Sequence, residues 1–338
     1  MMNYNSPKSY NIVCVSDEGY VQHAAVMLCS LFETNRNKTF YVYFLTTGIS
    51  EISRVRLCDL CHSYQSELNI ISCPTDSIAD LPVGQWNYIM YLKLFIPQVL
   101  PQSIERCLFL DVDMIINADI SELYDMELED CILAAAEDIP DCLLHKQRLG
   151  MMDEDLYINS GVMVCDVSRW REEEKRHPIL DFVRSISHKI LNEQDVIALY
   201  FKDSIKCLPI RWNMVTFYFN RVPKIFPKYL SELTEEKLHP GIIHYAAPIK
   251  PWFKDSQHPY AYLYRKYLTL TSWRDYKFPY GEKLTPRQRI NKWIKNYLNR
   301  IGIIRNAGYT VPIKSKSLRR SGRVQYRPRP ADFALQGN

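Results

Sequence analysis

The chain reads as an α/β protein: one doubly wound domain of about 260 residues on a mostly parallel sheet, followed by a basic helical tail. Three observations predict this. Short β-rich runs alternate with helical ones from Tyr10 onward. A fully apolar run, Cys107-Leu108-Phe109-Leu110, reads as a strand covered on both faces and ends in Asp111-Val112-Asp113. Charge is divided along the chain: residues 283–338 carry 14 Lys plus Arg against one acid, a net +13, whereas residues 1–282 carry 28 bases and 37 acids, a net −9. The expected boundaries are 8–270 for the α/β domain and 283–330 for the basic segment.

In order, the pattern predicts a strand over Asn11 to Val15, a helix near Val21 to Phe32, a strand over Phe40 to Leu45, a helix near Ser50 to Ser66 and a strand over Leu68 to Ile71. A helix from Gln85 to Phe95 is expected to stop at Pro97 and Pro101 and to lead into the fourth strand, which delivers Asp111 and Asp113. Ile132 to Ala136 and Ile158 to Cys165 read as strands, Arg171 to Ser187 and Glu193 to Phe201 as helices, and Gly241 to Tyr245 as a last short strand. No internal repeat interrupts this order.

Composition is that of a globular protein, with 47% hydrophobic and 24% charged residues, neither disordered nor fibrous. Ten cysteines, all at or before Cys207, are scattered rather than spaced as a disulfide framework, which points to reduced thiols and a cytoplasmic location. Cys58 and Cys61 lie close together in a helical pattern with no second pair, so a structural role is expected of them. No apolar stretch approaches the length of about 20 residues that spans a bilayer.

Chemistry gathers at strand ends. Carboxylates left uncompensated beside a buried strand would cost several kcal/mol, so a partner is expected opposite Asp111 and Asp113. Aspartates at i and i+2 leaving a strand can turn toward one hard cation, and a divalent metal carrying a nucleotide diphosphate is the natural guest; the same dipeptide spacing also serves as ordinary turn chemistry. His244, after the apolar Gly241-Ile242-Ile243, is placed to face them. Two carboxylates and an imidazole suit manganese or magnesium. Lys250, set between Ile249 and Pro251, is a point charge suited to a diphosphate leaving group. At the end of the first strand, Asp17 can accept from a base or ribose and Tyr20 can stack on a ring; a helix cap and first-turn acid would look the same. Asn159 and Ser160 can hydrogen-bond hydroxyl groups at the entry to a buried strand. Glu193 and Asp195 at a helix start are also what the helix dipole favours.

Five ordered blocks together, Ser16-Asp17-Glu18-Gly19-Tyr20, Leu110-Asp111-Val112-Asp113, Tyr157-Ile158-Asn159-Ser160-Gly161-Val162, Asn192-Glu193-Gln194-Asp195 and His244 through Trp252, resemble the retaining family 8 glycosyltransferases, especially the bacterial lipooligosaccharide and lipopolysaccharide galactosyl- and glucosyltransferases. The resemblance runs from about Asn11 to Trp252. It implies a GT-A fold, with Asp111, Asp113 and His244 as Mn2+ (or Mg2+) ligands and Lys250 on the diphosphate of a UDP-hexose. It further implies that Asp17 and Tyr20 hold the uridine, that Lys93, Asn159 and Ser160 contact donor sugar or phosphate, and that Glu193 and Gln194 line the reacting face. Gln194 matches the position beneath the anomeric carbon. An amide is a poor nucleophile, so a front-face internal-return mechanism is expected. Transfer of galactose or glucose to a lipid-linked glycan follows as the implied activity. A nucleotide-sugar binding protein and a nucleotidyltransferase are the competing readings. Tyr91, where the family usually has arginine, and Ala247, where it has glycine, depart from the pattern.

In the tail, Thr285 and Pro286 start a helical pattern with Ile290, Trp293, Ile294, Tyr297, Leu298 and Ile301 on one face and Arg287, Arg289, Lys292, Lys295 and Arg300 between them. A cationic amphipathic helix of this kind suits an anionic membrane surface, and Arg305 to Arg329 continue the charge. Docking on the acidic catalytic domain is the other reading. No nucleic-acid reading module accompanies the tail, and none is expected to bind. A protein peripheral to the inner face of the cell membrane is the resulting expectation.

Overall fold

Along β4 (Arg106–Leu110) the side chains alternate between two cores: Leu108 and Leu110 point to one face, Cys107 and Phe109 to the other, all fully buried. A strand buried on both faces needs neighbours on both edges and helices above and below, and it has them. A computed structural model describes residues 8–83, 87–220, 222–281 and 285–300. Its main sheet contains β1 (Ser9–Val15), β2 (Thr39–Thr46), β3 (Glu67–Ser72), β4, β6 (Leu133–Ala135), β7 (Val162–Asp166) and β8 (Ile205–Cys207), in the order β3-β2-β1-β4-β7-β6-β8. All pairings are parallel except the two made by β7, with β4 and β6. The chain is therefore a mostly parallel α/β protein, as the alternation predicts.

A second sheet of three short strands, β5 (Met114–Ile116), β9 (Met214–Val215) and β10 (Ile242–His244), has β10 at its centre. One core lies between this small sheet, helix Val21–Thr34 and the main sheet; it includes Ile12, Leu108, Val162, Ile243 and Trp212. The other packs Val13, Phe109 and Met163 against Leu92, Trp170 and Ile197. Each such aliphatic or aromatic side chain contributes roughly 1.5–3 kcal/mol by leaving water.

Several elements differ from expectation for identifiable reasons. The helix expected over Gln85 to Phe95 is a 3-10 segment, Tyr88–Phe95, continuing into helix Ile96–Val99; Gln85 lies outside the described residues. Pro97 has no N–H to give to the Lys93 carbonyl four residues back, and the Ile96 N–H takes that carbonyl instead, three residues back. Arg171 to Ser187 is two helices, Val167–Arg176 and Ile179–Ile186, because Pro178 cannot continue the first ladder. The strand expected from Ile158 starts only at Val162, leaving Asn159-Ser160-Gly161 as a turn. Residues 205–207 and 214–215 form strands too short for any periodicity to show.

The tail helix spans Pro286–Arg300, with Trp293 and Tyr297 exposed and stacked in parallel planes. Residues 301–338, including Ile301 and the basic run Arg305 to Arg329, lie outside the described residues. Among the described residues no helix is long and apolar enough to cross a membrane. All ten cysteines are unpaired thiols, and Cys58 and Cys61 join no metal-ligating group among the described residues.

Candidate active site

The turn that leaves β4 is held from both sides. The Asp111 N–H donates to the Gly161 carbonyl at 2.8 Å, which ties the start of the turn to the entry of β7. After Asp113 the chain becomes β5, which pairs antiparallel with β10 in the register Met114 opposite His244. The Tyr245 N–H then donates to the Asp113 carbonyl at 3.0 Å. This register places His244 Nε2 at 3.3 Å from Asp113 Oδ1. One ligand atom each from Asp111, Asp113 and His244 lies within 4.8 Å of the others. The donor set, two hard carboxylates and one imidazole, fits an oxygen-preferring divalent cation. Gly161 is what leaves room for it. A Cβ there would lie 2.6 Å from His244 Cε1, 2.8 Å from Met114 Cε and 2.9 Å from Asp111 Oδ2.

Two lysines divide the carboxylates between them. Lys93, 2% exposed, has its Nζ 2.8 Å from Glu193 Oε1 and 3.3 Å from Asp111 Oδ1, and also donates to Ser160 Oγ at 3.3 Å. Lys250, in the loop after β10, places its Nζ 2.6 Å from Asp113 Oδ2 and donates to the Tyr245 carbonyl at 2.7 Å. Burial acts to raise the pKa of both aspartates. At Asp111 burial prevails over Lys93 and the pKa is raised; at Asp113 the opposing charges of Lys250 and His244 prevail and the pKa falls well below the usual carboxylate range.

Facing them, Asn192 caps helix Glu193–Tyr200 by accepting from the Asp195 N–H at 3.1 Å. Glu193 accepts from Ser160 Oγ at 3.1 Å as well as from Lys93. The Gln194 amide is fixed at both ends: Oε1 accepts from the Ser160 N–H at 3.2 Å and Nε2 donates to Asp138 Oδ2 at 2.9 Å. Asp195, fully buried, turns away from this face. It accepts from Tyr157 Oη at 2.7 Å and from Arg148 at 3.0 Å to each oxygen, so it anchors the helix start.

Asp17 and Tyr20 follow β1. Asp17 Oδ1 accepts from the Tyr20 N–H at 3.0 Å, a local turn bond, and its Oδ2 faces Asn87. The Tyr20 ring, 43% exposed, stands edge-on to Trp252 with centroids 5.8 Å apart, so it meets the loop that carries Lys250. Trp252 in turn stacks on His23 at 3.6 Å. Of the two departures from the family pattern, Tyr91 is fully buried with its hydroxyl donating to the Pro82 carbonyl at 2.5 Å, and Ala247 is buried in the loop between His244 and Lys250.

The structure thus brings Lys93, Asp111, Asp113, Asn159, Ser160, Glu193, Gln194, His244 and Lys250 into one connected set, with Asp17 and Tyr20 joined through Trp252. Sequence reasoning missed Asp138, Asn213 and the steric role of Gly161. Asp138 carries the same signal as Asp111, a carboxylate just past an apolar run, and could have been found by it. Asn213 sits in the 3-10 turn Ile210–Asn213 and has no such signal.

A mostly parallel α/β sheet, with two carboxylates at the end of a central strand and an imidazole delivered by a short antiparallel neighbour, is the arrangement of a GT-A glycosyltransferase. Residues 11–256 match the sequence profile of Glycosyl transferase family 8, and the chain belongs to that family. It is 25% identical over 272 residues to General stress protein A of Bacillus subtilis (strain 168), covering 78% of this chain and 94% of that protein. It is 26% identical over 281 residues to Lipopolysaccharide 1,2-glucosyltransferase of Escherichia coli (strain K12), covering 81% of this chain and 82% of that protein. The galactosyltransferase LgtC, solved in complex with donor and acceptor sugar analogues, shares the fold with a TM-score of 0.67 and 19% identity over 83% of this chain and 99% of that one.

Proposed function

We propose that this chain is a retaining, Mn2+-dependent hexosyltransferase that moves glucose or galactose from a UDP-sugar to a hydroxyl of a lipid-linked glycan such as lipopolysaccharide core. The observation that carries the reading is the gathering of Asp111, Asp113 and His244 within 4.8 Å, bordered by Lys250 on one side and the Glu193-Gln194 pair on the other.

A cation on those three ligands would supply neutralisation of the diphosphate charge. Lys250 adds a positive point charge from the loop, and Asp17 and Tyr20 hold the uridine at the loop's far side. Lys93, Asn159 and Ser160 order the donor sugar. Both ends of the Gln194 amide are hydrogen-bonded and an amide is a poor nucleophile, while Glu193 Oε1 is engaged by Lys93 and Ser160. This favours front-face transfer. The bond from the anomeric carbon to the diphosphate oxygen breaks, the acceptor oxygen bonds to the same face, and its proton passes to the departing diphosphate.

UDP release from a panel of UDP-sugars, with and without Mn2+ and without acceptor, tests the reading. Slow metal-dependent release from one sugar supports it. Binding without release would identify a nucleotide-sugar binding protein, and diphosphate release from a nucleoside triphosphate a nucleotidyltransferase.

The exposed Ile290, Trp293, Ile294 and Tyr297 on helix Pro286–Arg300, together with the net +13 of residues 283–338, support recruitment to the inner face of the membrane, where a lipid-linked acceptor resides. Removing residues after Tyr280 is expected to abolish co-sedimentation with anionic liposomes while leaving donor hydrolysis intact; unchanged co-sedimentation would refute the recruitment.

A further inference from the structure

The geometry points to Asn213 as a positioning residue that fixes the tautomer of His244 and so aims Nε2 at the metal position. This deepens the proposed metal site and rests on it.

The argument is one of hydrogen-bond polarity, and it starts at a backbone group whose direction is not in question. The Gly161 N–H can only donate, and it donates to the Asn159 side chain at 3.2 Å; the Asn159 atom there is therefore Oδ1. The same oxygen lies 2.8 Å from the Asn213 amide, so the Asn213 atom facing it must be the donor, Nδ2. That leaves Asn213 Oδ1 on the other side, 2.9 Å from His244 Nδ1. An amide oxygen has no proton to give, so Nδ1 must carry the hydrogen. In the neutral ring the proton is then on Nδ1 and the Nε2 lone pair is left for a cation within the ligand cluster; with no cation between them, Nε2 faces the acceptor Asp113 Oδ1 at 3.3 Å, the one contact that competes with this tautomer.

No member of the chain can reverse alone. Turning the Asn213 amide would set its NH2 against a protonated ring nitrogen and its oxygen against the Asn159 oxygen. Asn213 is 1% exposed and His244 4%, so water does not offer a substitute partner. Asn159 is held a second time, because its other end bonds to Asp138, which also receives Gln194 Nε2. The turn 159–161 thereby sets the direction of two amides: the Gly161 N–H orients Asn159 and Asn213, and the Ser160 N–H orients Gln194. Metal-ligating histidines generally owe their tautomer to such a partner, and its loss weakens metal binding by about 10- to 100-fold.

Full-length protein with nitrogen-15-labelled histidine, studied without metal by long-range proton–nitrogen correlation, tests the tautomer directly. His244 is assigned by its loss in His244→Gln. A protonated Nδ1 is expected in the wild type, and an unprotonated Nδ1 would overturn the inference, whatever the site binds. Asn213→Leu removes the acceptor, and the Nδ1-protonated signal should give way to the other tautomer. Asn213→Gln keeps both an amide oxygen and an amide NH2 and should restore it at least in part. Mn2+ titration by calorimetry supplies the second readout: about a 10- to 100-fold weaker Kd in Asn213→Leu, with part of the affinity regained in Asn213→Gln. Equal Mn2+ affinity in all three proteins overturns the inference. Absence of Mn2+ binding in the wild type would instead fell the metal reading while leaving the tautomer result to stand or fall by itself.

Discussion

Asp111 and Asp113 are two residues apart and belong to different parts of the molecule. Asp111 is built into the floor: its N–H is tied to Gly161, and its carboxylate meets a lysine that is itself sealed between β4, the turn 159–161 and helix Glu193–Tyr200. Asp113 belongs to the wall: its partners, His244 and Lys250, both come from β10 and the loop after it. The difference shows in the lysines: Lys93 is 2% exposed and its partner Glu193 9%, whereas Lys250 is 16% exposed; the aspartates run the other way, Asp111 at 33% and Asp113 at 15%. Both aspartates remain partly exposed, so the contrast lies in how deeply each lysine is enclosed.

The largest effect expected is on the wall. Asp113→Asn removes one of the three proposed metal ligands while keeping shape, and should lower metal-dependent turnover by about a thousandfold or more, roughly 4 kcal/mol, with an unchanged circular dichroism spectrum. Near-normal turnover in that variant would remove Asp113 from the ligand set.

Next comes the pair of lysines, which sharpens the contrast. Lys93→Met strands Glu193 and Asp111 beside a filled core and should cost about 3 kcal/mol of stability in urea unfolding. Lys250→Met leaves Asp113 with His244 as its remaining charged partner, so it should cost less than Lys93→Met, about 1–2 kcal/mol, and should weaken UDP binding. Equal stability losses would erase the distinction between floor and wall.

How much of this was legible in the sequence follows the same division. The floor announces itself: the run 107–110 is apolar at every position because both faces are covered, and a carboxylate directly after such a run needs a partner. His244 was legible for the same reason, as a polar residue ending the apolar Ile242-Ile243. The pairing that brings β10 against β5 was not, since a three-residue strand has too few alternations to reveal register. Asn213 was illegible because its value lies in hydrogen bonds to residues 54 and 31 positions away. Pro178, by contrast, was a plain signal that the expected helix Arg171 to Ser187 must divide.

Smaller effects are expected where the wall meets the reacting face. Gln194→Ala loses a side chain held by Ser160 and Asp138 but leaves the proposed diphosphate group Lys250 in place, so kcat should fall about 10- to 100-fold with KM for donor nearly unchanged. A rise in KM at constant kcat would mean that Gln194 serves donor binding alone.

The last expectation concerns the aromatic seat of the wall. His23 stacks on Trp252, receives or gives a hydrogen bond at 2.7 Å with Tyr264 Oη, and is pushed by burial down to about 3, with Asp113 and Lys250 acting in opposite directions on it. Since the folded state resists the proton and the unfolded chain accepts it near 6.5, His23 contributes full stability above about pH 6.5 and loses it as the pH falls toward 3. The slope is at most about 1.4 kcal/mol per pH unit. His258, pushed down to about 3 by burial as well, adds a slope of the same sign. His23→Phe keeps the stack on Trp252 but removes one of the two groups, so it should lower stability at pH 7 by about 1–3 kcal/mol through the Tyr264 hydroxyl and make the decline from pH 6.5 to 5 shallower by about half. The measurement is urea unfolding across that range. An identical slope in wild type and variant would show that the wall takes up a proton at His23 without unfolding, and that its seat is looser than the floor in one more respect.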